Sequence, residues 1–107
     1  MIIMLDTPAD IDECSTEMGY PTEQLFTPLT RYRNRHPERK FAIDNGSFSR
    51  FNRQAFEALL KRESSRKDLC RFVAVPDVVG SARRTLEVFD YWYPLLGGWN
   101  LALVAQD

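Results

Sequence analysis

The sequence predicts an α/β fold in which parallel strands alternate with helices, a partial TIM-barrel-like sheet. Three apolar runs carry that prediction: Phe41 to Ile43, Phe72 to Pro76 and Leu101 to Ala105. Each ends on polar residues, namely Asp44, Asp77, and Gln106 with Asp107. The runs begin 31 and 29 residues apart, room each time for strand, loop, helix and return. Apolar strands that each deliver a polar residue at the carboxyl end are the pattern of successive βα units, whose function collects at those ends.

Residues 2 to 5 (IIML) form a short strand in this reading, and Thr7 then caps a helix with Pro8 at its first position. Ile11, Cys14 and Met18 share one face of that helix, and Gly19 suits its end. QLFT, 24 to 27, reads as a second buried strand, with any helix after it starting near Pro28 and running toward Arg35. RYRNRHPERK, 31 to 40, is an exposed connection broken by Pro37, and its histidine, His36, has no acid or cysteine at ligand spacing. After DNGSFSRF, Asn52 caps a helix with Phe56, Leu59 and Leu60 as the buried stripe. FVAVP, apolar at consecutive positions, suits a strand covered on both faces. Gly80-Ser81 opens a helix through about Leu96, with Leu86, Phe89 and Tyr93 on one side and Val88 and Trp92 beside them. Pro94 should disturb its last turn, Gly97-Gly98 stops it, and LALVA is the next buried strand.

At 107 residues and 44% hydrophobic, the chain is a single domain, read as the N-terminal part of a (β/α) barrel, a fold that usually runs to about 250 residues. The last strand then needs a partner, through self-association or a completing chain. No apolar run approaches the roughly 18 residues of a membrane span. The N-terminus lacks a basic segment followed by an apolar one, so a cytoplasmic location without membrane partners is expected. Cys14 and Cys70 have neither zinc-ligand nor redox spacing and read as buried free thiols. All 14 basic residues lie between Arg31 and Arg84 against six acids, a net +8, which describes either a solvated surface or a phosphate-binding one.

In a parallel arrangement Asp44, Asp77 and Gln106 emerge at one face and can converge on one ligand. Two carboxylates and an amide supply acceptors for ring N–H and amino groups and a donor for a carbonyl, the inventory that holds a purine-like base by its edge. One carboxylate can also act as a general base or nucleophile. Three competing readings stay open. Asn45-Gly46 between apolar segments is also a β-hairpin signal; Asp44, Asp77 and Asp107 could hold a divalent cation in an α/β hydrolase; and the chain could be a non-enzymatic, truncated, phage-derived domain that serves as a subunit.

DNGSF, VPDVVG and LVAQD together resemble the tRNA-guanine transglycosylases and the relatives that insert 7-deazaguanine bases into phage and bacterial DNA. That family is a TIM barrel with a strand ending in Asp-Ser-Gly-Gly-Phe-Gln. Asp44-Asn45-Gly46-Ser47-Phe48-Ser49 keeps the acid, the first glycine and the phenylalanine. Asp77 is similar to the family's second acid, and Val104-Ala105-Gln106 to its Val-Gln-Gly element. The resemblance implies that Asp44, Asn45, Gly46, Phe48, Asp77 and Gln106 surround a purine or deazapurine base, with Asp44 in proton transfer and tRNA or DNA as the polymer. Asn45, Ser47 and Ser49 depart from the family's serine, glycine and glutamine, which places the chain among divergent relatives. The family's nucleophilic aspartate and zinc site come from later strands, so this segment implies no cofactor and, alone, no covalent glycosyl intermediate.

Overall fold

The computed structural model describes residues 3–5, 22–28, 38–47 and 50–105. Among the described residues five strands form one sheet: β1 (Ile3–Leu5), β2 (Thr22–Phe26), β3 (Phe41–Ile43), β4 (Cys70–Ala74) and β5 (Leu101–Ala102). Their spatial order is their chain order, and every pair is parallel. A sheet that adds each strand beside the previous one is singly wound, as in a barrel; a doubly wound sheet would reverse its order at a switch point. Helix α1 (Arg53–Arg62) joins β3 to β4, and α2 (Ala82–Trp92) joins β4 to β5.

Helix α1 forms where its sequence places it. The Asn52 side chain accepts from the Ala55 N–H at 3.1 Å, satisfying one otherwise unpaired donor of the first turn. Phe56, Leu59 and Leu60, spaced three and one apart, are its buried residues. They meet Phe26, Phe41 and Ile43 from the sheet and Trp92 and Leu96 from beyond it in one apolar core. Trp92 sets the geometry of that core, meeting the Phe56 ring edge to face at 5.5 Å and the Phe51 ring at 6.1 Å.

A bulge adjusts the sheet to this core. Phe41 pairs with Cys70 but Ile43 pairs with Val73, so β4 carries one extra residue. Cys70 and Val73, three apart, therefore both reach the core, which strict alternation would forbid. β4 starts two residues earlier than the sequence predicts, because Arg71 has a reason to be there: its guanidinium makes two bonds to Glu23 of β2. The intervening strand contributes the fully buried Ala42, small enough for the arginine to reach across. Arg62 and Arg66 converge on Glu63, which is only 2% exposed, and their guanidinium groups lie over the Phe26 and Phe41 rings. Much of the basic run from 61 to 71 is thus engaged within the fold.

Two expectations need correction. Leu86 and Tyr93 do not face the core; they are 53% and 62% exposed, and the buried residues of α2 are Thr85 and Trp92. The strand predicted as buried over 101–105 is assigned only at Leu101 and Ala102, where Val73 N–H donates to the Asn100 carbonyl at 2.7 Å and Val75 N–H to the Ala102 carbonyl at 3.0 Å, and Leu103 beyond it is 47% exposed. Pro94 acts as expected: α2 stops at Trp92 and a 3₁₀ turn covers Tyr93–Leu95. The predicted helix over residues 7–19, with Cys14, and residues 31–37 of the connection, with His36, lie outside the described residues; Glu38 and Lys40 at the end of that connection are exposed, as expected. Among those described, no helix is long and apolar enough to cross a membrane.

Candidate functional site

The ends of β3 and β4 are joined by side chains. Past Ile43, Asp44 N–H still donates to the Phe26 carbonyl at 2.8 Å, so the ladder with β2 persists one residue beyond the strand. The backbone then turns through two overlapping side-chain turns: Gly46 N–H donates to Asp44 Oδ2 at 3.3 Å, and Ser47 N–H to Asn45 Oδ1 at 2.7 Å. Gly46 has φ +77°, the left-handed region that favours glycine, and a Cβ there would lie 3.1 Å from Pro28 Cδ. No hairpin follows. β3 is flanked by parallel neighbours on both sides, and the chain proceeds to α1.

Asn45 is the hinge pin of this cluster. It is 2% exposed, and its Nδ2 donates to the Val75 carbonyl at 2.9 Å and to Asp77 Oδ1 at 2.8 Å. Asp77 N–H in turn approaches Ser47 Oγ at 3.4 Å. On its other side the loop after β4 is tied to α2. The buried Thr85 hydroxyl accepts from Val78 N–H at 3.0 Å and donates to the Val78 carbonyl at 3.1 Å. Ser81 caps that helix, accepting from Arg84 N–H. Asp77 is thereby held from the end of β3, and its neighbour Val78 from α2.

The two acids predicted to act together do lie at one edge of the sheet, since each follows a parallel neighbouring strand. They are not equivalent. Asp77 lines a cavity of about 470 Å³, within the ~300–1,000 Å³ of small-molecule sites; Asp44 is half-buried and is not part of that lining. The cavity is lined mainly by Phe51, Pro76, Val88, Tyr91 and Trp92, together with the exposed Arg53 and Glu87. Arg53 is fixed there by Glu57 at 2.9 Å and the Tyr91 hydroxyl at 2.8 Å, and it stacks over Trp92 at 5.0 Å. Those hydrogen bonds, Glu57 first and then Tyr91, hold its guanidinium above the usual arginine value. Such a site offers flat apolar walls and a carboxylate acceptor. A planar ring bearing N–H groups matches both.

Phe48, Gln106 and Asp107 lie outside the described residues. Among those described, no group of three His, Cys, Asp or Glu side chains gathers where a metal could be held. Sequence reasoning missed Ser47 and the aromatic cavity. Phe51 lies far from Tyr91 and Trp92 in the sequence, and the three carry no local signal that they share a cavity. No protein-family model matches the chain, and neither a curated protein nor a solved structure matches it.

Proposed function

We propose that this chain supplies the base-binding part of a queuine/guanine transglycosylase-like protein acting on tRNA or DNA. The observation that carries the reading is the Asn45 bridge, which fastens the end of β3 to the acid that follows β4. In this reading Asp77 accepts hydrogen bonds from the ring N–H and amino groups of a purine or deazapurine. The ring lies against the apolar walls beside it. Asp44, on the neighbouring strand end, exchanges a proton with the departing or incoming base. Gly46 lets the backbone approach closely. The nucleophile that captures the sugar belongs to residues outside this segment.

The test is calorimetric titration of the chain with guanine and with 7-deazaguanine. Asp77→Ala and Asp44→Ala should each reduce affinity at least tenfold while leaving the chain folded. Undiminished affinity in both variants defeats the proposal.

A further inference from the structure

We infer that Asn45 is a positioning residue for Asp77 and makes no contact with the base, an inference that rests on the base-binding reading above. The resemblance alone would place Asn45 among the base-binding residues. Its hydrogen-bond inventory argues otherwise. A carboxamide has two N–H donors and one acceptor oxygen. The Nδ2 group serves Val75 O and Asp77 Oδ1, at 2.9 and 2.8 Å, and Oδ1 accepts from Ser47 N–H. At 2% exposure, no donor and little surface remain for a ligand.

What the side chain does instead is fix one oxygen of Asp77 relative to the β4 backbone. Asp77 Oδ1 and Val75 O are both acceptors on the same segment, and a single NH₂ group bridges them. The carboxylate is thereby locked in rotation. Neither near relative of asparagine can replace this bridge. Aspartate would set a second carboxylate against Asp77 Oδ1 and against the Val75 carbonyl. Serine has one donor on a shorter stem and cannot serve both acceptors. The sequence departs from the family's serine at this position, and the bridge supplies a physical role for the departure.

The experiment uses the full chain and guanine as the probe, with melting temperature and calorimetric affinity read on five proteins: wild type, Asn45→Ser, Asn45→Asp, Asp77→Asn and the exchange N45D/D77N. Asn45→Ser should remain folded and bind guanine at least tenfold more weakly. Asn45→Asp should lower the melting temperature, and the exchange should recover part of that loss, because donor and acceptor face each other again with roles reversed. Guanine binding should not return in the exchange, since the carboxylate now sits at the wrong position. An exchanged chain that binds guanine like wild type overturns the inference, because the carboxylate that Asn45 is said to position for the base would then not be needed at position 77. Wild-type affinity in Asn45→Ser overturns it as well. Where a variant fails to fold, the wild type with bound guanine gives a second readout by NMR. The Asn45 Nδ2 protons should stay protected from exchange and show no cross-relaxation with guanine; direct cross-relaxation overturns the assignment. A folded wild type that binds no guanine refutes the base-binding reading itself, and this inference with it.

Discussion

Replacing Gly46 by alanine tests the strand-end turn that carries the candidate site, and its cost can be worked from the structure. Gly46 and Gly80 share nearly the same left-handed backbone, with φ of +77° and +81°. An L-residue in that region costs about 1–2 kcal/mol, and the stiffer unfolded chain returns about 0.4–1 kcal/mol of it. At Gly80 nothing lies within 4 Å of the added Cβ, so Gly80→Ala should cost about 1 kcal/mol. At Gly46 the Cβ meets Pro28 Cδ at 3.1 Å and Cγ at 3.2 Å. A proline ring cannot swing aside, so an overpacking cost of about 1–3 kcal/mol is added. Gly46→Ala should therefore cost about 2–4 kcal/mol in total. At roughly 4–8 °C per kcal/mol for a domain near 100 residues, Gly46→Ala should melt at least about 8 °C below wild type, and Gly80→Ala about half as far below as Gly46→Ala or less. Circular dichroism melts of both variants and of P28A/G46A supply the measurement. Equal losses at the two glycines, or no recovery when Pro28 is also truncated, would refute the reasoning.

Asn52→Ala should cost about 1 kcal/mol in urea denaturation through loss of the α1 cap, with an unchanged denaturant slope. Arg66→Met should cost on the order of 3 kcal/mol by the same measurement, because it removes one of the two arginines that satisfy the buried Glu63 carboxylate. Arg71→Ala should lower the melting temperature more than Glu23→Gln, since only the former strands a buried carboxylate. Burial pushes the Cys70 thiol up to about 11 from 9.0, with the Phe72 carbonyl its hydrogen-bond acceptor. The folded state thus holds this proton more tightly than the unfolded one. The stabilisation is whole below pH 9 and is lost as pH rises toward 11. Melting temperature should fall more steeply across that window in wild type than in Cys70→Ala, and peptide mapping after alkylation at pH 8 should find Cys70 unmodified until the chain unfolds.

The parts of the fold that periodicity describes are legible in the sequence. Helix α1 has its cap, its stripe of Phe56, Leu59 and Leu60, and its polar side in their expected places, because a half-buried helix writes its environment into a 3.6-residue rhythm. Helix α2 shows where that rhythm misleads. Thr85 is buried because its hydroxyl is spent on the Val78 backbone, whereas Leu86 remains exposed, and hydropathy reverses the two. Arg71 sits within β4 for a similar reason: its partner Glu23 is 48 residues away. The end of β5 at Ala102 is not encoded locally in LALVA. For the site, parallel strands ending in acids were enough to place Asp44 and Asp77 at one edge. That Asn45 reaches across to Asp77 was not legible, because a hydrogen bond spanning 32 residues has no local signature.

The most direct test of the account is guanine binding by the intact chain, measured by calorimetry beside Asp77→Ala and Asp44→Ala. Base recognition at the ends of β3 and β4 predicts binding by wild type and at least a tenfold loss in each variant. A well-folded wild type that takes up no guanine, or variants that bind it as tightly as wild type does, would contradict it.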